Sequence, residues 1–425
     1  MTAFLCIGFL ALLGLSVPVA VALGLSSLLA MEIFTPLNSL TFVQQVFNGV
    51  DKFPLAAIPF FILAGNLMEA SGISLRLVDL ARSLTRNLQG GLAISCVAAC
   101  MVFAAVSGSS VATTFAIGAI LIPAMQRAGY PLTGAAALQA ASAELGVIIP
   151  PSIPMILFGV TADVSIGELF IAGVVPGIFI GAALALWAYI WCRRNGYGKS
   201  DGQDVMAVPV AFRRSLLALM MPVVVLGGIY GGIFTPTEAS IAAVCYALVV
   251  GVGVYRTLGW REVTLAFNKS VLSNVIIMLI IATAAAFAYL ITRAGVPRDI
   301  GNVIMEYANS PLVFLLVVNV ALFIIGMFID ASASVIVLAP ILTPIAMRLG
   351  IDPVHFGTVM VVNLALGMIT PPFGVNLFAA CSVAKISYER IIPAIIPLVV
   401  VVFACLMAIT YVPQLSLFLR DLVYH

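Results

Sequence analysis

Residues 144–152 read Glu144-Leu145-Gly146-Val147-Ile148-Ile149-Pro150-Pro151-Ser152, and 221 positions later residues 365–373 read Ala365-Leu366-Gly367-Met368-Ile369-Thr370-Pro371-Pro372-Phe373. Each proline pair removes two backbone donors inside an apolar run, so a helix arriving from upstream must stop and leave carbonyls unpaired. The same offset aligns Pro123 with Pro344, Arg127 with Arg348, Gly129 with Gly350, Glu168 with Glu389 and Pro176 with Pro397. The chain thus reads as two copies of one unit that share their helix breakers.

Composition puts those breakers in a membrane. Of 425 residues, 63% are hydrophobic and 8% charged, against roughly 25% charged in a soluble domain. With 19 Lys and Arg and 17 Asp and Glu, the chain cannot coat a soluble body of this size, which excludes secreted, cytosolic and nucleic-acid-binding proteins. Two histidines, His355 and His425, have no ligand spacing, so no transition-metal site is expected. The seven cysteines sit in apolar stretches without a CxxC pair and read as small core residues. The opening run, Phe4 to Ala30, lacks a positive n-region and a cleavage signal and reads as a retained membrane helix.

A bilayer-spanning helix needs about 20 apolar residues. Continuous spans are predicted at 3–30, 53–71, 169–192, 216–233, 237–254, 271–292 and 391–418. Four other apolar stretches are interrupted: 92–126 at Ser107-Gly108-Ser109-Ser110, 134–162 at Pro150-Pro151, 312–347 at Asp330-Ala331-Ser332, and 354–383 at Pro371-Pro372. The first and third read as re-entrant helical hairpins, the second and fourth as broken helices. Mixed charged and apolar arms at 72–90 and 293–311 lead into the hairpins and read as interfacial. Threaded this way, fourteen of the 19 basic residues share one side and five the other, which makes the richer side cytoplasmic. The N-terminus is then cytoplasmic and the C-terminus outside. Residues 1–192 form the first repeat, 193–215 a cytoplasmic linker and 216–425 a second repeat of opposite orientation.

Inverted repeats with discontinuous helices belong to secondary transporters, whose sites lie at the repeat interface. Unpaired backbone in hydrocarbon costs several kcal/mol per group and survives only where protein, ions or a wet cavity satisfy it. In the first repeat, the hydroxyls of the Ser107–Ser110 tip and the carbonyls of the loop after Gly146 suit an oxygen cage for a hard monovalent cation such as Na⁺. A second cage combines the Asp330–Ser334 tip with the loop from Gly367 to Pro372, including Thr370. An anion would sit between the tips, with Ser109, Ser110, Asn363 and Asn376 as neutral hydrogen-bond partners; with no arginine at this depth, it would need co-bound cations. The competing reading of each tip is close helix packing through small residues. Glu144 and Asp330, ionisable at membrane depth, are candidates for a proton relay in place of Na⁺ support. Glu238, in Thr235-Pro236-Thr237-Glu238, reads as a helix-start residue with a structural role.

Gly232-Ile233-Phe234-Thr235-Pro236-Thr237-Glu238-Ala239, the Glu144–Ser152 loop and Gly367-Met368-Ile369-Thr370-Pro371-Pro372 resemble the large membrane subunit, of DctM or SiaM type, of tripartite ATP-independent periplasmic (TRAP) transporters. The resemblance covers essentially the whole chain. It implies an all-α, inverted-repeat, elevator-type carrier of the ion-transporter superfamily in a bacterial inner membrane. It further implies Na⁺-coupled import of organic acids such as sialic acid or C4-dicarboxylates, with Na⁺ as coupling ion and no other cofactor. The implied partners are a separate small four-helix membrane subunit and a periplasmic substrate-binding protein. Matched onto this sequence, the Na⁺ sites fall on Ser107, Gly146, Ile149 and Pro151, and on Asp330, Gly367, Thr370 and Pro372. A stand-alone dicarboxylate carrier, driven by Na⁺ or H⁺, shares the breaks and is the alternative. A channel needs a continuous polar pore, and an enzyme a catalytic cluster; the sequence has neither.

Overall fold

Helices stop where the sequence says they must. In the computed structural model, which describes residues 1–198, 205–296 and 310–424, the described residues form helices and connecting turns, with no strand. The first half contains α1 (Thr2–Gly14), α2 (Val19–Phe34), α3 (Ser39–Val50), α4 (Ala57–Ala70), α5 (Ile73–Thr85), α6 (Gly91–Ser107), α7 (Ser110–Arg127), α8 (Leu132–Ala143), α9 (Leu145–Ile148), α10 (Ile153–Ala162) and α11 (Ile166–Asn195). The second contains α12 (Val208–Tyr230), α13 (Pro236–Leu248), α14 (Trp260–Arg293), α15 (Pro311–Phe328), α16 (Ala331–Arg348), α17 (Pro353–Met368), α18 (Val375–Ala384), α19 (Tyr388–Tyr411) and α20 (Gln414–Tyr424).

All four predicted interruptions are helix ends: α6 and α7 part at Gly108-Ser109, α9 and α10 at Ile149–Ser152, α15 and α16 at Ile329-Asp330, and α17 and α18 at Ile369–Gly374. The peptide bonds Pro150–Pro151 and Pro371–Pro372 are both cis. The new helices are capped by their own sequence. Ser109, Ser152 and Asp330 accept from the backbone N–H groups of Ala112, Met155 and Ser332, as polar N-cap residues do. At Thr235 a full capping box forms with Glu238, in keeping with a structural role for that acid.

The two halves interlock. Helix α7 packs on α18 while its counterpart α16 packs on α10, and α8 packs on α19 while α17 packs on α11. Along α17, every residue from Val354 to Met368 is buried. In the stretch Leu132–Ala162, 83% of the most apolar window is buried, against 28% for α12. The two broken helices therefore form the centre of the bundle. Beside them, α4 packs on α13 and α14, and α14 packs on α2, α3 and also α16.

Several boundaries differ from the sequence reading. The span expected at 3–30 is two helices, because Pro18 fixes its own backbone angle and bars its predecessor from the helix. Pro413 likewise divides the span expected at 391–418 into α19 and α20. The span expected at 271–292 begins at Trp260 and carries Lys269 within it. The linker expected at 193–215 is shortened by α11, which reaches Asn195, and by α12, which starts at Val208; its residues 199–204 lie outside the described residues, as do residues 297–309 of the arm expected at 293–311. Helix α3, with a strongly apolar face, was not anticipated.

Candidate functional site

At the first interruption, backbone meets backbone. Gly108 ends α6 with φ +63°, and a Cβ there would stand 2.7 Å from the Pro151 carbonyl oxygen. A Cβ on Gly146 would stand 2.7 Å from the Ser109 carbonyl oxygen and 2.8 Å from Thr113 Oγ1. Only glycine permits both approaches. Thr113 Oγ1 donates to the Ser109 carbonyl at 2.8 Å and lies 3.0 Å from Ser107 Oγ. The hydroxyls of Ser107 and Thr113 and the carbonyls of Ser109 and Pro151 thus gather around two glycines. This all-oxygen set has the chemistry of a hard cation. Thr113 escaped the sequence reading, although it stands one helical turn after Ser109. Ile149, by contrast, sits on the loop with its N–H bonded to the Leu145 carbonyl at 2.8 Å.

The second interruption repeats the plan with different atoms. Ser334 N donates to the Asp330 carbonyl at 3.0 Å, as Thr113 N does to Ser109 at 3.1 Å. Gly367 lies against the backbone of Gly326, so a side chain on Gly367 would collide with it. Thr370 donates through Oγ1 to the Leu366 carbonyl at 2.8 Å and through N to Gly367 at 2.9 Å. Gly374 N reaches back to the Met327 carbonyl at 3.2 Å. Asp330 and Pro372 are exposed. Among the described residues, no three His, Cys, Asp or Glu side chains come together.

A cavity of about 600 Å³ joins the two tips. One wall carries Ser107–Ala112, Asp330, Ser332 and Met368; the other carries Asn66 and Glu69 of α4 with Lys269 and Ser273 of α14. Ser109 and Ser110 both contribute to its lining, but the Ser110 hydroxyl oxygen is itself buried, without a hydrogen-bond partner, beside Glu144. The structure does not bring Asn363 or Asn376 to the cavity. Asn363 is fully buried and donates to Asn319 Oδ1 at 2.7 Å and to the Asn319 carbonyl at 2.9 Å. Asn376 is fully buried, accepts from Thr114 Oγ1 at 2.6 Å and donates to the Ala140 carbonyl at 3.0 Å, tying α18 to α7 and α8. Amides in an apolar core are expected to be paired: Asn376 is paired at both ends, whereas Asn363 is paired through its amide nitrogen and its Oδ1 has no hydrogen-bond partner. Glu144 lies outside the cavity lining, 2% exposed, with neither carboxyl oxygen hydrogen-bonded; Asn376 and Ser110 are its neighbours. Lys269, a cation lining the cavity, lies just ahead of the apolar window at 271–292 and so falls outside the span expected there.

The family model of the tripartite ATP-independent periplasmic transporter, DctM component, matches residues 6–415. The chain belongs to this DctM family. It is 41% identical to the isethionate TRAP transporter permease protein DctMQ of Oleidesulfovibrio alaskensis over 97% of its own length, and spans 65% of that protein. It is 41% identical to the C4-dicarboxylate TRAP transporter large permease protein DctM of Pseudomonas aeruginosa, covering 94% of each chain. To the sialic acid TRAP transporter large permease protein SiaM of Vibrio cholerae it is 35% identical, over 98% of this chain and 97% of that one. Its fold is shared with the crystal structure of the Alcanivorax borkumensis YdaH transporter at a TM-score of 0.62, with 16% identity, over 91% of this chain and 88% of that one. As a DctM-family permease, the chain is a multi-pass membrane protein and a transport subunit, not an enzyme.

Proposed function

We propose that this DctM-family subunit carries a small organic anion through the 600 Å³ cavity together with Na⁺. The observation that carries the reading is that both interrupted tips, Ser107–Ser110 and Asp330–Ser332, face one cavity whose opposite wall belongs to the uninterrupted helices α4 and α14. Among the described residues, Glu69, Lys269 and Asp330 are the charged ones lining it. Their sum is one negative charge, so an anion enters favourably only when cations enter with it. The oxygen clusters at Ser107, Gly146 and Pro151, and at Gly367 and Thr370, are the proposed Na⁺ sites. Ser109 and Ser110 are the proposed hydrogen-bond donors to the anion.

The substrates in the relatives' names, C4-dicarboxylates, sialic acid and isethionate, are all small organic acids; we take that class for this chain. The proposed partners are a small four-helix membrane subunit and a periplasmic binding protein. In the proposed inner-membrane orientation, N-terminus cytoplasmic and C-terminus periplasmic, the cavity lies near the end of α4 and the beginning of α14, on the cytoplasmic side. The re-entrant pairs α6–α7 and α15–α16, with the broken helices α8–α10 and α17–α18, would move as one body against α4, α13 and α14, in elevator fashion. The relatives' names do not favour a stand-alone carrier.

Uptake of labelled succinate, sialic acid and isethionate into proteoliposomes holding this chain and its small subunit tests the reading. Uptake that requires both an imposed Na⁺ gradient and the binding protein is the expected result. Uptake without the binding protein would move the chain to the stand-alone carriers. Uptake driven by H⁺ alone would move the coupling from the oxygen clusters to Glu144 and Asp330.

A further inference from the structure

Among the described residues, the one cation lining the cavity is already engaged. Lys269 Nζ lies 2.9 Å from Glu69 Oε2, across the seam between α14 and α4. The two side chains are 58% and 28% exposed, and an ion pair so open to water contributes little to holding helices together. The seam has its own fastening one residue further along α14, where Asn66 Nδ2 donates to Ser270 Oγ at 2.8 Å, and Ser270 is anchored to the Ala266 carbonyl at 2.7 Å. Meanwhile Lys269 faces the cavity, with Ser273 one turn further along the same wall.

From this arrangement we infer that Lys269 is the subsite for the oxyanion group of the transported acid, carboxylate or sulfonate, and that Glu69 is a built-in competitor which the acid displaces. The inference rests on the reading of the cavity as an anion path. An ammonium is a compact charge with three donors, able to pass from one carboxylate to another without rearranging the backbone. Glu69 keeps Lys269 neutralised while no acid is bound, which lowers the electrostatic cost of the empty cavity. By competing for the same ammonium, it also weakens the hold on the acid and speeds its departure. Lys269 and Glu69 belong to the wall formed by α4 and α14, so the acid would meet this pair only when the tips face that wall. The pair would then act at release.

The two partners make opposite predictions. In proteoliposomes holding the chain and its small subunit, supplied with the binding protein and an inward Na⁺ gradient, KM and Vmax are measured for succinate, isethionate and sialic acid in wild type, Lys269→Gln, Lys269→Arg and Glu69→Gln. Lys269→Gln should raise KM by roughly tenfold or more, the loss of a charge-assisted hydrogen bond. Lys269→Arg should stay within a few-fold of wild type. Glu69→Gln should lower KM by several-fold and slow release, seen as a lower Vmax. A pair that only clamps the helices would make Lys269→Gln and Glu69→Gln alike, with lower melting temperatures and KM unchanged, and that outcome overturns the inference. Wild type that carries none of the three acids refutes the reading of the cavity and this inference with it. Wild-type uptake with KM moving in the same direction in both variants refutes this inference alone.

Discussion

The loop after α9 and the loop after α17 share their glycine and their proline pair, yet they are closed in different ways. In the first, Pro150, Pro151 and Ser152 are all buried, and Ser152 Oγ donates to the Val147 carbonyl at 2.5 Å while capping α10. In the second, the position of Ser152 is taken by Phe373, which is 52% exposed and leans on Phe328 at 5.4 Å between centroids. A phenyl ring cannot satisfy a carbonyl. The second loop is instead tied back to α15 by Gly374 N and the Met327 carbonyl. The lesson is that a repeat conserves the places where a helix must stop, whereas the groups that satisfy the stopped backbone can be recruited locally. The first loop is a closed, internally bonded structure; the second is open on one face and depends on its neighbour.

The glycines offer the harshest test, because both loops should fail. Gly146→Ala drives a methyl group into the Ser109 carbonyl and Thr113, and Gly367→Ala drives one into Gly326. Overpacking of this kind costs about 1–3 kcal/mol, and each 1.4 kcal/mol is a factor of ten. Uptake should therefore fall about five- to 150-fold in both variants, with protein levels in the membrane retained. Normal uptake in either variant would show that its loop opens more widely than the structure indicates.

Closure separates the two loops. Ser152→Ala removes both a cap and the partner of a buried carbonyl, and should lower stability by about 1–3 kcal/mol. Phe373→Ala removes a half-exposed ring contact and should cost less than about 1 kcal/mol. Thermal unfolding in detergent compares the two directly, and equal losses would erase the distinction between a closed and an open loop.

Cation dependence sharpens it further. Thr113→Val deletes a hydroxyl that belongs to the oxygen cluster, whereas Ile149→Val changes only apolar bulk on the loop nearby. We expect Thr113→Val to raise the half-saturating Na⁺ concentration of uptake by roughly fivefold, about 1 kcal/mol, and Ile149→Val to leave it unchanged. A shift shared by both would mean the cluster serves packing alone.

What could be read from the sequence follows from the same physics. Proline pairs, glycines and hydroxyls interrupting apolar runs are local statements, and all four interruptions fall at helix ends. The role of Thr113 depends on which oxygens a turn of α7 brings beside Gly146, although a hydroxyl recurring at Ser334, on the repeat offset, was a readable hint. Asn363 and Asn376 drew attention because an amide in an apolar run either meets a ligand or pairs inside the core; only the positions of Asn319, Thr114 and Ala140 decide between the two. Lys269 was overlooked because hydropathy windows end at charges, while α14 runs on through it from Trp260.

The smallest expected effect concerns a place where the two repeats meet outside the apolar runs. Asp352 caps α17 through the N–H groups of Val354 and His355, and Arg420 of α20 reaches it at 2.8 Å and Glu168 of the first repeat at 3.7 Å. Partial burial alone would raise the Asp352 carboxyl, but the hydrogen bond from Arg420, the cap and the nearby charge outweigh it and hold the group below the usual carboxylate value of 3.8. A carboxyl that is more acidic folded than unfolded contributes stability that is complete above its ordinary value and lost as the pH falls below it. Since the side chain is about a third exposed, the contribution is that of a screened surface pair. Acidification from pH 6 to pH 3 should therefore lower the melting temperature of the wild type by roughly 1 °C more than that of Asp352→Asn. Identical acid sensitivity in the two proteins would remove Asp352 from the tie between the repeats and leave Glu168 and Asp421 as the partners that hold Arg420.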